Sequence, residues 1–326
     1  MRMRLAWLPL LFGGALLALG PARAHAEPSI WRRASHPQAR AEARLLRGLE
    51  RLIDAEEQTE ADPEFSNHFA RAGVAMLDLA RLPAPEDPRL AVAMAHVLVS
   101  ARVRRGPEAE RLLEHALPAL AEGPLLAWAW LELARARTER GAREGARAAF
   151  DRVLELEIDT DRRAVARYGR AQAETALGEL DRAARDFEAA ASATGDELLR
   201  LRARYGLAVT LERRGDLPGA LALVEQSLAA RLPLSHYAAE DPLELPGGFD
   251  PPYELHYVKA LAALARARKA EETPKRRTAY AAAVTEWEAY VDAAPPGAPW
   301  VGHARSLAER AKVELRKLPA QKRRSR

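Results

Sequence analysis

The side chains able to do chemistry are few and thinly spread. Eight histidines stand along 326 residues (His25, His36, His68, His96, His115, His236, His256 and His303), and there is no cysteine. None of the histidines forms an H-E-x-x-H pair or another ligand spacing. The nearest approach to a metal set is His236 and His256, flanking a proline-rich stretch, with Asp241 or Asp250 as third ligand. That spacing is generic, and two surface or interfacial histidines are the simpler reading. Nucleophile elbows, phosphate-cradling loops and dinucleotide fingerprints are absent from the sequence. Its 46 carboxyl groups mark out no acid–base pair, since Glu and Arg three or four apart are ordinary on helix surfaces. The expectation is a protein that is not an enzyme, with no catalytic residue, no cofactor and no metal.

Charge is distributed unevenly. The formal balance is 50 basic against 46 acidic side chains, or +4. Met1–Ala26 holds Arg2, Arg4 and Arg23 and no acid, and the last eleven residues hold six basic groups and no acid. The body, Glu27 to Leu315, is therefore 41 against 46, or −5. A mildly acidic body with a short basic tail excludes a nucleic-acid stripe. The tail "QKRRSR" is either a solvated end or a weak contact for an anionic surface.

The first 26 residues have the form of a secretory signal: a basic start, the apolar run "LAWLPLLFGGALLALG", and "AHA" before Glu27. The run is shorter than the roughly 20 residues of a membrane span. Cleavage after Ala26 and an exported, periplasmic mature protein without a transmembrane helix are expected.

Nearly everything after residue 35 reads as helix at a period near 3.6. Leu45, Leu49, Leu52 and Ile53 form one stripe; Phe65, Phe69, Ala72 and Met76 form another. Asp62-Pro63, Asp87-Pro88, Asp250-Pro251 and Thr273-Pro274 read as helix starts, a capping oxygen followed by a residue whose missing N–H costs nothing there. About thirteen helices and no convincing strand result.

The helices repeat. Aligned on Gly141, Gly178 and Gly215, three units start near Ala127, Ala164 and Leu201, 37 residues apart. Seven residues before each glycine stands Ala134, Ala171 or Ala208, and five after it Ala146, Ala183 or Ala220. Phe150, Phe187 and Val224 follow, then Val153, Ala190 and Ser227. Small residues let the helices of a pair approach closely, and the larger one fills the gap to the next pair, so that pairs must stack.

In this pattern the chain resembles the tetratricopeptide repeat (TPR), most closely through Trp130, Leu133, Ala134, Gly141, Ala146, Phe150 and Val153. It departs at Arg170, where leucine is usual, lacks the closing proline, and has a period of 37 rather than about 34. The resemblance implies an all-α, right-handed α-solenoid of stacked antiparallel helix pairs. It also implies a concave face lined by first helices, here Trp128, Leu131, Arg135; Tyr168, Gln172, Thr175; and Arg202, Tyr205, Val209, Glu212. Aromatic residues with arginine suit a binding hot spot, although such aromatics also serve as filling between units. Trp287 and Trp300 read as core of a C-terminal cap.

The domain order expected is 1–26 signal, 27–126 degenerate helical pairs, 127–230 three TPR-like repeats, and a 231–252 Pro/Gly-rich loop insertion. A repeat with a capping helix at 253–315 and a basic tail at 316–326 complete it. The functional expectation is a protein–protein interaction scaffold of the cell envelope that binds a peptide or helix in its concave face. A glycan- or polysaccharide-binding protein is the alternative, and a hydrolase with a site at the 231–257 loop a more distant one.

Overall fold

The computed structural model describes residues 37–58, 71–78, 85–99, 105–156, 158–229 and 251–319. Among these are thirteen α-helices and no strand. The chain divides into two compact units, one ending at Ile158 and the other beginning at Asp159. The three registered copies are thereby divided, the first falling in the N-terminal unit and the other two in the C-terminal unit.

The N-terminal unit holds α1 (Pro37–Gln58), α2 (71–78), α3 (Pro88–Val99), α4 (Gly106–Ala116), α5 (Pro124–Glu139) and α6 (Arg143–Glu155). Asp87 caps α3 as its spacing predicts, its carboxylate accepting the Arg89 N–H at 3.0 Å. Leu45, Leu49 and Ile53 are buried on α1 as expected. On α2 the inner face is one residue out of the expected register: Ala72 is exposed, while Gly73 and Leu77 are buried. Close approach is the reason, since a Cβ at Gly73 would lie 2.5 Å from Val97 Cγ1. Phe65 and Phe69 lie outside the described residues.

The C-terminal unit holds α7 (Thr160–Leu177), α8 (Leu180–Ala193), α9 (Glu197–Arg213), α10 (Leu217–Ala229), α11 (Glu254–Lys269), α12 (Thr273–Ala293) and α13 (Val301–Lys317). Asp159 and Asp196 cap α7 and α9. The fold class is all-α, in stacked antiparallel helix pairs. Within each unit successive helices pack on one another, from α3 to α6 in the first and from α7 to α13 in the second. The first helices of successive pairs also touch: α3 with α5 in one unit, α7 with α9 and α9 with α11 in the other. No helix among the described residues is long and apolar enough to cross a membrane. The expected loop at 231–252 lies outside the described residues up to Asp250. The basic tail begins later than expected, because Arg316 and Lys317 still belong to α13. Cations are favoured in a last helical turn, and Lys317 pairs with Glu314 at 2.6 Å.

The repeated positions are the framework of both units. All six paired alanines, Ala134 with Ala146, Ala171 with Ala183 and Ala208 with Ala220, are fully buried. Phe150, Phe187 and Val224 are buried beside them. Gly141, Gly178 and Gly215 all take the left-handed conformation, at φ of 77°, 82° and 93°. The residue after each glycine donates its N–H to a carbonyl five residues back: Ala142 to Arg137, Glu179 to Glu174, Asp216 to Leu211, each at 2.9 Å. This is the Schellman closure, which satisfies carbonyls left open at a helix end.

No atom stands within 4 Å of a Cβ built at Gly178, so only the backbone objects to a side chain there. Gly178→Ala is expected to lower stability by about 1–2 kcal/mol, and Gly178→Asn by less, in urea unfolding followed by circular dichroism. Equal loss in both would mean that something other than the left-handed turn is being disturbed.

Candidate functional site

The expected concave row begins in the N-terminal unit with Trp128, Leu131 and Arg135 on α5. Leu131 is buried rather than presented to a ligand. Trp128 and Arg135 both turn to Glu132, which the sequence reading passed over. Glu132 Oε1 accepts from Trp128 Nε1 at 2.9 Å, Arg135 at 3.0 Å and His96 Nδ1 of α3 at 3.0 Å. Burial opposes the charge of this fully enclosed carboxylate, but Arg135 and His96 outweigh it, helped by Trp128, and hold it down at about 2. The His96 and Trp128 rings meet at 5.4 Å between centroids. This cluster joins α3 to α5, so Trp128 is a packing residue with its indole N–H already spent. The only legible signal was Trp128, Glu132 and Arg135 on one helical face.

In the C-terminal unit the expected row divides. Tyr205 is 2% exposed and sits in a core shared with α11, α12 and α13, and Val209 and Glu212 are buried with it. Glu212 accepts the Tyr257 hydroxyl and faces His303 Nε2 at 3.0 Å. Tyr205 and Glu212 are corrections to the open row: the three C-terminal helices cover them. Arg202 is half-buried. Thr175 is buried, its hydroxyl bonded to the Ala171 carbonyl and to Thr210.

What remains open is a small cleft of about 50 Å³ in which Tyr168, Gln172, Thr175 and Val209 of the row come together. The Tyr168 ring stands edge-on to Phe187 at 5.7 Å, and its hydroxyl accepts from Gln172 Nε2 at 3.1 Å. The far end is closed by Arg213 and Glu254, paired at 2.7 Å. Arg213 also lies over the rings of Tyr257 and Trp300, at 4.7 and 4.9 Å, and donates to the Tyr290 hydroxyl at 3.4 Å. Burial opposes its charge, but Glu254 and the tyrosines hold it ionised. Trp300 in turn donates its indole N–H to the Thr175 carbonyl at 3.2 Å, tying the start of α13 to α7. Trp287 is fully buried and Trp300 packs against the same core, as the sequence suggested. Arg213 carries no sequence signal, because its partners stand 41 to 87 residues away.

Behind the cleft, Arg170 makes a two-pronged pair with Asp186, at 2.5 and 3.0 Å. This explains the departure at Arg170: an ion pair between α7 and α8 stands where the neighbouring copies have Leu133 with Ala149 and Leu207 with Leu223. Glu174, one turn further along, gains no such bond, and its Oε2 is shielded and unbonded. Burial first, then Asp186, push its carboxyl up to about 7. Of the proposed metal pair, His256 meets Glu286 at 2.7 Å, and His236 lies outside the described residues. No group of three metal-ligating side chains occurs among the described residues.

No protein family and no curated protein sequence matches the chain. Among solved structures, a kinesin-light-chain-type chain of nearly identical TPR-like repeats from Podosopora anserina is 17% identical. The match covers 74% of this chain and all of that one, at a TM-score of 0.39. BtubC (BKLC) from P. vanneervenii is 16% identical over 89% of this chain and 97% of that one, at a TM-score of 0.41.

Two outcomes are expected from the buried charges. An acid whose folded value is raised loses stability for the protein as pH climbs from the unfolded value, near 4.5, through about 7. Glu174→Gln should therefore match the wild type near pH 3.5–4 and exceed it by ~1–3 kcal/mol at pH 8, measured in urea. A pH-independent difference would assign the effect to packing. Arg213→Met, which strands Glu254, should cost about 3–5 kcal/mol, and Arg213→Met with Glu254→Gln should cost less than the single change.

Proposed function

We propose that the protein is a non-enzymatic interaction scaffold of the cell envelope, which holds an extended peptide segment or a helix of a protein partner across the first helices of its pairs. The observation that carries this reading is the cleft of the C-terminal unit. There α7 and α9, two first helices, present an aromatic face, a carboxamide and a fixed ion pair at one place. Such a mixture of apolar wall and few oriented polar groups is what a binding cleft needs. The exposed aromatics that favoured a glycan ligand are largely spent, Trp128 on Glu132 and Tyr205 on the core. Export rests on the residues before Glu27, and cleavage after Ala26 is read directly by N-terminal sequencing of the protein from its own cells.

The test places a photo-cross-linking amino acid at Ala176, on the cleft, or at Glu188, exposed on α8. A partner trapped from position 176 but not from 188, and lost in a Tyr168→Ala/Gln172→Ala variant that retains its helical spectrum, is the expected result. Equal trapping from both positions would place recognition elsewhere on the surface.

A further inference from the structure

The cleft of the C-terminal unit offers a ligand no net charge, and that restricts what can enter. Its two ionised residues, Arg213 and Glu254, neutralise each other at 2.7 Å. The Arg213 side chain is 2% exposed and held over two aromatic rings, so it cannot turn to a ligand carboxylate. An acidic side chain would face Glu254 and a basic one Arg213, and either would lose water without gaining a free counter-charge. The remaining wall is mainly apolar, formed by Tyr168, Phe187, Val209, Ala176, Pro251 and the bare Cα of Gly206, while the Thr175 hydroxyl is bonded to the Ala171 carbonyl and to Thr210. The floor cannot deepen at Gly206, where a Cβ would already lie 2.4 Å from the Phe187 ring. A space of about 50 Å³ exceeds the roughly 10–15 Å³ that one water needs, and suits one aliphatic side chain and little more.

The rim adds a second restriction. Gln172 spends one amide N–H on the Tyr168 hydroxyl. Its other N–H and its carbonyl oxygen are left, the complement of one peptide C=O and one peptide N–H.

Resting on the scaffold reading above, we propose that this cleft selects an uncharged aliphatic side chain (Leu, Ile, Val or Met) of an extended partner segment whose backbone bonds Gln172. Selection is by exclusion of both charge signs at the Arg213–Glu254 end and by the fixed depth over Gly206. Val209 sets the width.

Random dodecapeptides displayed on phage, selected on the full chain and on three variants, test this. Wild type is expected to enrich peptides with one aliphatic position free of Asp, Glu, Lys and Arg. Ala176→Leu, a filling change at a half-buried helix position, should weaken those peptides about tenfold or more. Val209→Ala should shift the same position towards Phe, and Gln172→Ala should weaken binding about fivefold without changing the preference. A charged residue at the position that Ala176→Leu disrupts would overturn the proposal and leave the scaffold reading standing. So would a preference that neither Ala176→Leu nor Val209→Ala alters. No enriched peptide, on a chain with its native circular dichroism spectrum, would overturn both.

Discussion

The close approach of two helices through a pair of alanines is the contact on which the rest depends. The distance between packed helices follows the side chains at their contact, and alanine places nothing there beyond Cβ. Ala134 with Ala146, Ala171 with Ala183 and Ala208 with Ala220 leave no solvent at that point. The left-handed glycine between the members of each pair turns the chain sharply enough to bring them together. One turn of helix later, on the same face, the side chain becomes large, Phe150, Phe187 or Val224, and Phe187 reaches past its own pair to Gly206 of the next. Tight pairing and outward filling together leave each pair with an apolar face it cannot cover alone, and that face is what makes the pairs stack.

Polar groups inside such a stack have to be completed across helices. The middle copy substitutes an arginine and an aspartate for two apolar residues and joins α7 to α8 through them. Glu174 is left beside this pair with its Oε2 unbonded, and burial and Asp186 outweigh Arg170 and Arg182 to push its carboxyl up to about 7. Arg213 solves the same problem differently. It reaches Glu254 and Tyr290 and lies over Tyr257 and Trp300, so one guanidinium ties α9 to three later helical segments.

The framework was legible in the sequence because it is local. Glycine, alanine and the capping Asp87 act within one turn or one pair, and their types announce their conformations. Asp159 and Asp196, which lack a following proline, cap α7 and α9 without having been singled out. The fate of the first-helix row was not legible, because it is decided by contacts over long separations. Trp300 reaches Thr175 across 125 residues and His303 reaches Glu212 across 91. Nothing near Tyr205 in the chain says that α11, α12 and α13 will cover it. Glu132 was missed for a related reason: its first two partners lie on its own helix, but His96 arrives from another.

Sequence equivalence therefore does not carry equivalence of exposure. Tyr168 and Tyr205 occupy the same place in successive copies, 37 residues apart. Tyr205 is followed by the cap and becomes core. Tyr168 stands one pair earlier, keeps its ring half-buried against Phe187, and borders the cleft. The cleft exists because the two copies differ at this boundary: α11 and the Arg213–Glu254 pair close one end, and the absent side chain at Gly206 leaves room for the Phe187 ring. A further identical copy in place of α11 would not supply the ion pair. The cleft is thus produced where the repeat stops being a repeat, from residues that the repeat itself had placed.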